Sequence, residues 1–153
     1  MTRIPYFAQE RPESCVPACL RMVLAAYGIQ QSETDLYLCC ETDADGTLPR
    51  VAARCAQRLG LVASSERLST IQQLQEVLVL RAAIAIAFVN LTALLGVPVI
   101  HAVVIESVDP LSEQTITILD PAYPPTGRRL WSMAQFEMGW GLARHQVILI
   151  GRG

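Results

Sequence analysis

The chain contains no lysine: all twelve basic residues are arginine, and they are scattered along 153 residues. Without a lysine amine, Schiff-base chemistry is excluded, and cysteine, histidine and carboxylates are left as catalytic groups. Fourteen acidic residues bring the net charge to −2. A nucleic-acid-binding domain needs a clustered positive surface, and the sequence offers none. We therefore expect no nucleic-acid partner.

The sequence also lacks paired cysteine motifs. Its five cysteines are an odd number and form no Cys-x-x-Cys unit, and the N-terminus turns polar before any signal-like apolar run develops. These features predict a cytoplasmic protein with reduced thiols. With 52% hydrophobic residues, a chain of this length can bury a sufficient core, and we expect one domain over residues 1–153.

One uncharged stretch, residues 82–105, is long enough to span a bilayer on length alone. It is interrupted by polar and turn-forming residues, namely Asn90, Thr92, Gly96, Pro98 and His101. The β-rich runs between these interruptions fit two buried strands better than one lipid-facing helix. We therefore predict no membrane segment in this chain.

A second apolar stretch, from Gln9 to Gly28, begins as a polar loop and becomes almost wholly apolar after Ser14, with Arg21 as its only later charge. This pattern predicts a buried helix with Ser14 as N-cap and Gly28 as its stop. Cys15 then lies in the first turn, where free N–H groups and the helix dipole favour an anion over a neutral thiol. Cys15 is therefore the candidate nucleophile.

Helical patterns come first in the remaining chain and strand patterns second. Helices are predicted from Ser32 to about Cys40, from a Thr47 cap to Gly60, over 70–80 and over 132–138, and strands over 83–89, 99–107, 114–119 and 145–150. This order indicates an α+β fold with a mainly antiparallel sheet. The acidic loop at 41–47 does not fit a calcium loop, because Ala52 stands where the twelfth position requires glutamate.

The hairpin formed by the second and third predicted strands brings a histidine to an aspartate. A turn centred between Pro110 and Leu111 makes paired positions sum to 221, so His101 faces Asp120. The same face carries the apolar positions 103, 105, 116 and 118, and we expect the buried helix to pack on it. One such packing brings Cys15 to His101, with Asp120 to orient the imidazole ring. The Gln9 side-chain amide and the Cys15 N–H would then stabilise an oxyanion.

The chain resembles the papain-like cysteine peptidases of the bacteriocin-processing, double-glycine-leader branch in Gln9, in Cys15 within CVPACLRMVLAAYG, and in the later HAVVIE and ILDP. The resemblance covers nearly the whole chain. It implies a papain-like fold, in which an N-terminal helical part with a buried central helix packs on a mainly antiparallel sheet. It also implies Cys15 as nucleophile, His101 as general base, Asp120 as orienting acid and Gln9 as oxyanion donor.

For activity, the resemblance implies cleavage of a peptide bond in a peptide or protein substrate, without metal or organic cofactor. Such substrates often carry a leader ending in two small residues. Two departures from the family pattern are present. Val16 follows the nucleophile where relatives usually have glycine, and the membrane transporter and ATPase to which relatives are commonly fused are absent from these 153 residues.

Alternative interpretations remain open from the sequence. A peptide-binding module that keeps the fold without turnover is the main one, and Val16 is its only sequence support. A peroxide-reducing thiol protein is another, although Cys15 and Cys19, one helical turn apart, are poorly placed to form a bridge. His145 is interpreted as structural, and as the base if His101 lies elsewhere. The cysteines and histidines lack the spacing of a zinc site.

Overall fold

The computed structural model describes residues 3–108 and 114–153. Within them lie the helices α1 (Cys15–Ala26), α2 (Glu33–Cys39), α3 (Pro49–Arg58), α4 (Ile71–Leu80), α5 (Thr92–Leu95) and α6 (Met133–Leu142). The strands are β1 (Val62–Arg67), β2 (Ile84–Asn90), β3 (Ile100–Val108), β4 (Thr115–Leu119), β5 (Arg128–Ser132) and β6 (Gln146–Gly151).

The strands form one sheet in the order β1-β6-β2-β3-β4-β5, and each neighbouring pair is antiparallel. Alternate side chains of the sheet point to opposite faces, so the sheet divides the core in two. One cluster joins α1, α2 and α3 to one face, and the other joins α4 and α6 to the opposite face. The predicted α+β fold, with a buried helix on a mainly antiparallel sheet, is confirmed.

Helix α1 is the buried helix predicted from the apolar run. Nine of its twelve residues are buried, and each buried Leu, Val or Met side chain contributes about 1.5–3 kcal/mol of burial free energy. At its C-terminal end, Gly28 adopts a positive φ of 80°, a conformation that glycine reaches at little cost. The helix therefore stops where the sequence indicates.

The register predicted for the β3–β4 hairpin was wrong by two residues. Ile118 pairs with Ile105, where the arithmetic from the sequence pairs it with Val103. A bulge between Ile105 and Ser107 adds one further residue to β3, which a symmetric hairpin calculation cannot include. The predicted turn, residues 109–112, lies outside the described residues.

The sheet face assigned to the buried helix was also wrong. Helix α1 packs on the face that carries Ala102, Val104 and Leu119. The face with positions 103, 105, 116 and 118 packs instead against the aromatic side chains of α6, Phe136 and Trp140. Both faces of the hairpin are apolar enough to be buried, so alternation alone does not say which helix covers which face.

Two of the cysteines are not reduced as predicted. Cys39 at the end of α2 and Cys55 on α3 form a disulfide, with Cα atoms 5.7 Å apart. Their separation of sixteen residues hides the pairing from a motif search, because the bond depends on how α2 and α3 pack side by side. Cys15, Cys19 and Cys40 are free thiols.

Other local differences have local causes. Thr47 does not cap α3, because its hydroxyl lies 2.7 Å from that of Thr42, and the helix begins at Pro49 with Leu48 as N-cap. Strand β5, which pairs with β4, was missed in the loop that follows Asp120.

The uncharged run at 82–105 forms strands around the short helix α5. Within the described residues, no helix has the length and apolar character needed to cross a bilayer.

Candidate active site

Cys15 is the first residue of α1 and is half-buried. One helical turn later, the buried Cys19 places its sulfur 3.4 Å from the carbonyl oxygen of Ala102. Because Ala102 directly follows His101, this contact fixes the start of α1 beside the second residue of β3. The structure therefore brings the two predicted residues Cys15 and His101 together, although α1 lies on the face that the sequence did not indicate.

Ser14 is the N-cap of α1, but its side chain does not cap the helix. Its fully buried hydroxyl accepts a hydrogen bond from the Arg11 N–H at 3.0 Å and lies 2.9 Å from the Arg11 carbonyl and 3.0 Å from Oε2 of Glu33. The hydroxyl thus closes the loop before α1 and leaves the N–H groups of the first turn free of a side-chain cap. These N–H groups surround Cys15.

Glu33, the first residue of α2, is a buried carboxylate beneath the same loop. Its two oxygens accept the Glu10 N–H at 2.9 and 3.1 Å. Burial raises the pKa of Glu33, while the hydrogen bonds from Glu10 and Ser14 oppose that rise. The loop from Gln9 to Ser14 is therefore attached to α2 at its backbone and at Ser14.

His101 is buried and makes a contact with Asp120: Nε2 lies 2.7 Å from Oδ1. Burial by itself lowers the pKa of His101, but hydrogen bonds to Asp120 and Cys15 and electrostatic interactions with both groups outweigh it and raise the pKa to about 9. The ring is then an imidazolium at neutral pH. Since Nε2 faces Asp120, Nδ1 is the ring nitrogen left for Cys15.

Asp120 follows the last residue of β4 and is almost fully buried. Burial raises the pKa of this carboxyl, but the hydrogen bond and charge of His101, the Ala122 N–H at 2.8 Å and the Arg129 guanidinium together hold it below its usual value. Nε of Arg129 donates to Oδ2 at 2.9 Å. Asp120 is therefore a carboxylate with both oxygens engaged.

Gln9 lies in the loop before α1, and its backbone N–H donates to the Pro121 carbonyl at 2.8 Å. This bond joins the Cys15 loop to the Asp120 loop. The Nε2 group of Gln9 donates to the carbonyls of Arg11 at 2.8 Å and Pro12 at 3.2 Å, and its Oε1 is buried without a hydrogen-bond partner. In this structure, both hydrogens of the predicted oxyanion donor are used inside the loop.

The other sulfur and imidazole groups are in different surroundings. Burial raises the pKa of Cys40 to about 12 and that of Cys19 well above its ordinary value, to which the neighbouring Cys15 and Asp120 add. His145 is bonded to Glu137 at 2.7 Å and packs edge-on against Trp140. Neither buried thiol is placed to react, and His145 belongs to the α6–β6 turn. In the part of the chain that the structure describes, no group of three or more His, Cys, Asp or Glu side chains could hold a metal ion.

The departure from the family pattern after the nucleophile has a simple structural position. The Val16 side chain is only 3% exposed and packs in the core cluster around α1. The valine therefore points into the interior of the protein.

The sequence matches a known protein family over nearly its whole length. Residues 3–149 match the family described as the peptidase C39 family. The chain belongs to the peptidase C39 family. It is a cysteine-type peptidase with a papain-like fold, as predicted. No curated protein matches the chain.

Solved structures of similar fold include other C39 peptidases. The peptidase domain of Streptococcus ComA, a bi-functional ABC transporter involved in quorum sensing, is 19% identical with a TM-score of 0.78, covering 99% of this chain and 100% of that one. A double glycine motif protease from an AMS/PCAT transporter, in complex with the leader peptide, is 19% identical with a TM-score of 0.74 (99% and 94%). A putative C39-like peptidase from Bacillus anthracis is 16% identical with a TM-score of 0.77 (100% and 96%). At these identities the likeness shows the shared fold.

Three residues that contact the predicted site residues or their loops were missed in the sequence. Glu33 was visible only as an acidic residue in the first turn of a helix. Tyr6, whose hydroxyl donates to the Asp120 carbonyl at 2.8 Å, was visible only as part of an extended segment. Arg129 was missed together with β5, although the alternation in RRLW after Gly127 is a weak strand signal. Each acts through contacts distant in sequence.

Proposed function

We propose that this C39 peptidase removes a leader from a peptide or protein substrate, with Cys15 as nucleophile, His101 as acid and base, Asp120 as orienting carboxylate and Gln9 as an oxyanion donor. The observation that carries the proposal is that one buried imidazole lies 2.7 Å from Asp120 and close enough to Cys15 for Cys15 to raise its pKa. A relative's structure holds a leader peptide, which supports the substrate class.

The first half of the reaction forms a thioester. With His101 as imidazolium, the Cys15 thiolate is stabilised and attacks the carbonyl carbon of the scissile bond, whose π electrons move to oxygen. When the tetrahedral intermediate collapses, the C–N bond breaks, and Nδ1 of His101 gives its proton to the leaving amine. Asp120 holds the ring in place and stabilises its charged form before this transfer.

The second half regenerates the enzyme. Neutral His101 takes a proton from water, and the water oxygen attacks the thioester carbonyl. The C–S bond then breaks, which releases the new carboxyl terminus and returns the thiolate–imidazolium pair. Atoms and charges balance with water as the only co-reactant.

The oxyanion formed in both steps needs donors at the start of α1. The backbone N–H of Cys15 is one, since the first turn of a helix leaves such groups without intrahelical partners. For Gln9 to be the other, its Nε2 group must exchange the Arg11 or Pro12 carbonyl for the oxyanion. The weaker of these bonds, at 3.2 Å to Pro12, is the one we expect to be exchanged.

A depression of about 360 Å³ beside Gln9 is the proposed position of the substrate chain. It lies where the Cys15 loop meets the Asp120 loop and is lined by residues 8–12, Pro121, Ala122 and Pro124. It is open to the surface, as the binding of a peptide chain requires. Because a relative is a double glycine motif protease, we propose a cleavage site that follows two small residues.

A peptide-binding module without turnover is the alternative. Its only support in the sequence is Val16, whose side chain is buried in the core around α1. A peroxide-reducing thiol is less well supported still, because the nearby Cys19 has a raised pKa and its thiol points to the Ala102 carbonyl. The peptidase is therefore the function that we propose.

Two measurements on purified protein test the proposal. First, iodoacetamide at pH 6 should label Cys15 and leave Cys19 and Cys40 unlabelled, as read by peptide mass spectrometry, and His101→Gln should slow the labelling at least tenfold. Second, a synthetic peptide with a Gly-Gly leader end should be cleaved after the second glycine, and Cys15→Ala should abolish this cleavage.

The outcomes separate the alternatives. Fast labelling of Cys15 without cleavage, but with saturable binding of the peptide, would support the binding module. Labelling of Cys15 no faster than that of a free cysteine would contradict the catalytic assignment. Cys40→Ala is the matched control, because it removes a free thiol that is buried away from His101, and we expect its cleavage rate to equal that of the wild type.

We propose that the protein works in the cytoplasm, as its sequence predicts. The Cys39–Cys55 disulfide is the observation against this location, because the cytoplasm keeps most thiols reduced. Alkylating the thiols in intact cells before lysis, followed by mass spectrometry, would decide the point. We expect Cys39 and Cys55 to be alkylated if the protein works in the cytoplasm and protected if it does not.

A further inference from the structure

Asp120 has more partners than the two-residue contact with His101 requires. Oδ1 accepts from His101 and from the Ala122 N–H, while Oδ2 accepts from Nε of Arg129 at 2.9 Å. The Asp120 side chain is only 4% exposed and that of Arg129 is 24% exposed. A buried carboxylate between two cations is attracted to both, so each cation interacts with only part of its negative charge.

Arg129 is held in place by the strand and by a ring. It lies on β5 opposite Ile118 of β4, and its guanidinium carbon lies 3.8 Å above the ring of Tyr123. Tyr123 belongs to the loop that begins at Asp120, since its N–H donates to the Asp120 carbonyl at 3.0 Å. The Arg129 guanidinium, held by β5, therefore contacts both the ring of Tyr123 and the carboxylate of Asp120. A planar guanidinium stacked on an aromatic ring is a favourable arrangement, so these contacts fix its position.

We propose that Arg129 is a positioning residue of the active site: it fixes Oδ2 of Asp120 so that Oδ1 faces His101, and it shares the carboxylate's charge with the imidazole. The inference rests on the proposed role of Asp120 in catalysis. No part of the sequence motifs that indicated Cys15, His101, Asp120 and Gln9 includes this arginine.

The effect of Arg129 on the protonation of His101 has a predictable direction. His101 is faced by Cys15 and by Asp120. Asp120 in turn is paired with Arg129, and Tyr6 and the Cys19 thiol lie close enough to Asp120 to interact with its charge. A cation that pairs with Asp120 weakens the field of the carboxylate at His101, because the two charges oppose each other. Arg129 should therefore keep the imidazolium from becoming too weak an acid to protonate the leaving amine.

The test is a titration of His101 by NMR, which needs no substrate. The chain has two histidines, so a His145→Gln variant assigns the His101 ring signals. In Arg129→Gln the midpoint of His101 should rise by about one unit, because Asp120 loses the cation 2.9 Å from its Oδ2 and then acts more strongly on the ring. Arg129→Lys keeps the charge, so its His101 midpoint should return at least half of the way from the Arg129→Gln value to the wild-type value.

Arg128→Gln is the matched control. Arg128 is the preceding residue of the same strand, but it pairs with Glu106 at 2.6 Å and not with Asp120, so the His101 midpoint should stay within 0.2 unit of the wild type. A midpoint in Arg129→Gln that is unchanged or lower overturns the inference, and so does an equal shift in Arg128→Gln. If Arg129→Gln does not fold, Arg129→Met, which keeps the apolar stem over Tyr123, takes its place.

The result separates this inference from the proposed function. The alkaline limb of kcat/KM should move with the His101 midpoint in the same variants. If the NMR midpoint shifts but no variant, including the wild type, cleaves any peptide, the charge sharing stands and the peptidase assignment fails. If the enzyme cleaves and Arg129→Gln leaves the midpoint unchanged, only the role of Arg129 is overturned.

Discussion

Nε2 of His101 lies 2.7 Å from Oδ1 of Asp120, although the pairing of β3 with β4 ends at Val104 and Leu119. Continued by one residue, this register would put Val103 opposite Asp120 and make His101 a diagonal neighbour. Diagonal neighbours on antiparallel strands are within reach of long side chains. The contact therefore depends on the length of the histidine side chain and on the position of Asp120 just beyond the end of β4.

Replacement of Asp120 by asparagine tests the importance of this diagonal pair. The amide cannot stabilise the imidazolium, so we expect kcat to fall by about 10²- to 10⁴-fold. The pKa of His101 should also fall toward its ordinary value, because the contact with Asp120 is a main cause of its rise. Peptide cleavage and a histidine NMR titration measure the two effects.

The control for this variant is Asp45→Asn, at an exposed position of the acidic loop. It makes the same change of charge without a contact to His101 and should leave both quantities unchanged. A fall in kcat of less than fivefold in Asp120→Asn would show that the carboxylate is not needed to orient the ring.

The raised pKa of His101 predicts how stability depends on pH. The pKa of His101 in the folded protein, about 9, lies above its ordinary value of 6.5, so the fold favours the protonated ring. The stabilisation is fully present below pH 6.5 and is lost as the pH rises through 9. One pKa unit corresponds to about 1.4 kcal/mol, so His101 contributes at most about 3 kcal/mol to the free energy of unfolding.

Urea unfolding of the wild type and of His101→Gln at pH 6 and pH 9.5 measures this contribution. The difference in unfolding free energy between the two proteins should shrink at the higher pH by up to about 3 kcal/mol. In a Cys15→Ala background the change should be smaller, because Cys15 is one of the groups that raise the pKa of His101. A difference that stays constant with pH would contradict the ion pair.

Much of the fold could be predicted because it follows from local patterns. The apolar run after Cys15 can only be a buried helix, and Ser32 accepts the Asp35 N–H at the start of α2 as the capping pattern indicates. The choice of sheet face could not be predicted, since both faces of the β3–β4 hairpin are apolar. The bulge in β3 and the strand β5 depend on pairing between distant segments, which leaves little signal in the sequence.

The candidate site was predictable to the extent that its chemistry restricts residue types. A thiol at a helix start, a histidine and a following aspartate are recognisable from the sequence. The residues that hold them are not, because Glu33, Tyr6 and Arg129 have common side chains whose role appears only in the folded chain. The disulfide between Cys39 and Cys55 was missed for the same reason.

Chemical reduction of the Cys39–Cys55 disulfide should destabilise the protein and leave the reactivity of Cys15 unchanged. The bond closes a loop of sixteen residues between α2 and α3, and a loop of that length corresponds to about 3 kcal/mol. Chemical denaturation with and without a phosphine reductant measures this loss. The Cys55→Ala variant should match the reduced protein and should not respond to the reductant further.

The control for the disulfide prediction is the rate at which iodoacetamide labels Cys15 below the unfolding transition. Because neither Cys39 nor Cys55 is among the groups that act on His101, this rate should be the same in Cys55→Ala as in the wild type. A stability difference of less than 0.5 kcal/mol, a small fraction of the expected loop entropy, would show that the two cysteines are not bonded in solution.

Gly127 and Tyr6 form a contact behind Asp120 that a single methyl group should disrupt. A Cβ on Gly127 would lie 1.9 Å from the Tyr6 ring, whose hydroxyl donates to the Asp120 carbonyl at 2.8 Å. The Asp120 N–H in turn donates to the Gly127 carbonyl at 2.7 Å. We therefore expect Gly127→Ala to displace the tyrosine ring and to disturb the position of Asp120.

Gly96→Ala separates this steric effect from the cost of the backbone conformation. The φ angles are nearly equal, 71° at Gly96 and 70° at Gly127, but a Cβ on Gly96 would meet nothing within 4 Å. Alanine in this left-handed region costs about 1–2 kcal/mol at both positions, and forcing a ring aside adds about 1–3 kcal/mol at Gly127 alone. Thermal unfolding should show Gly127→Ala as clearly the less stable protein, and only this variant should lose cleavage activity at a temperature where both are folded. Equal stability and equal activity of the two variants would mean that the Tyr6 ring is free to move and does not support Asp120.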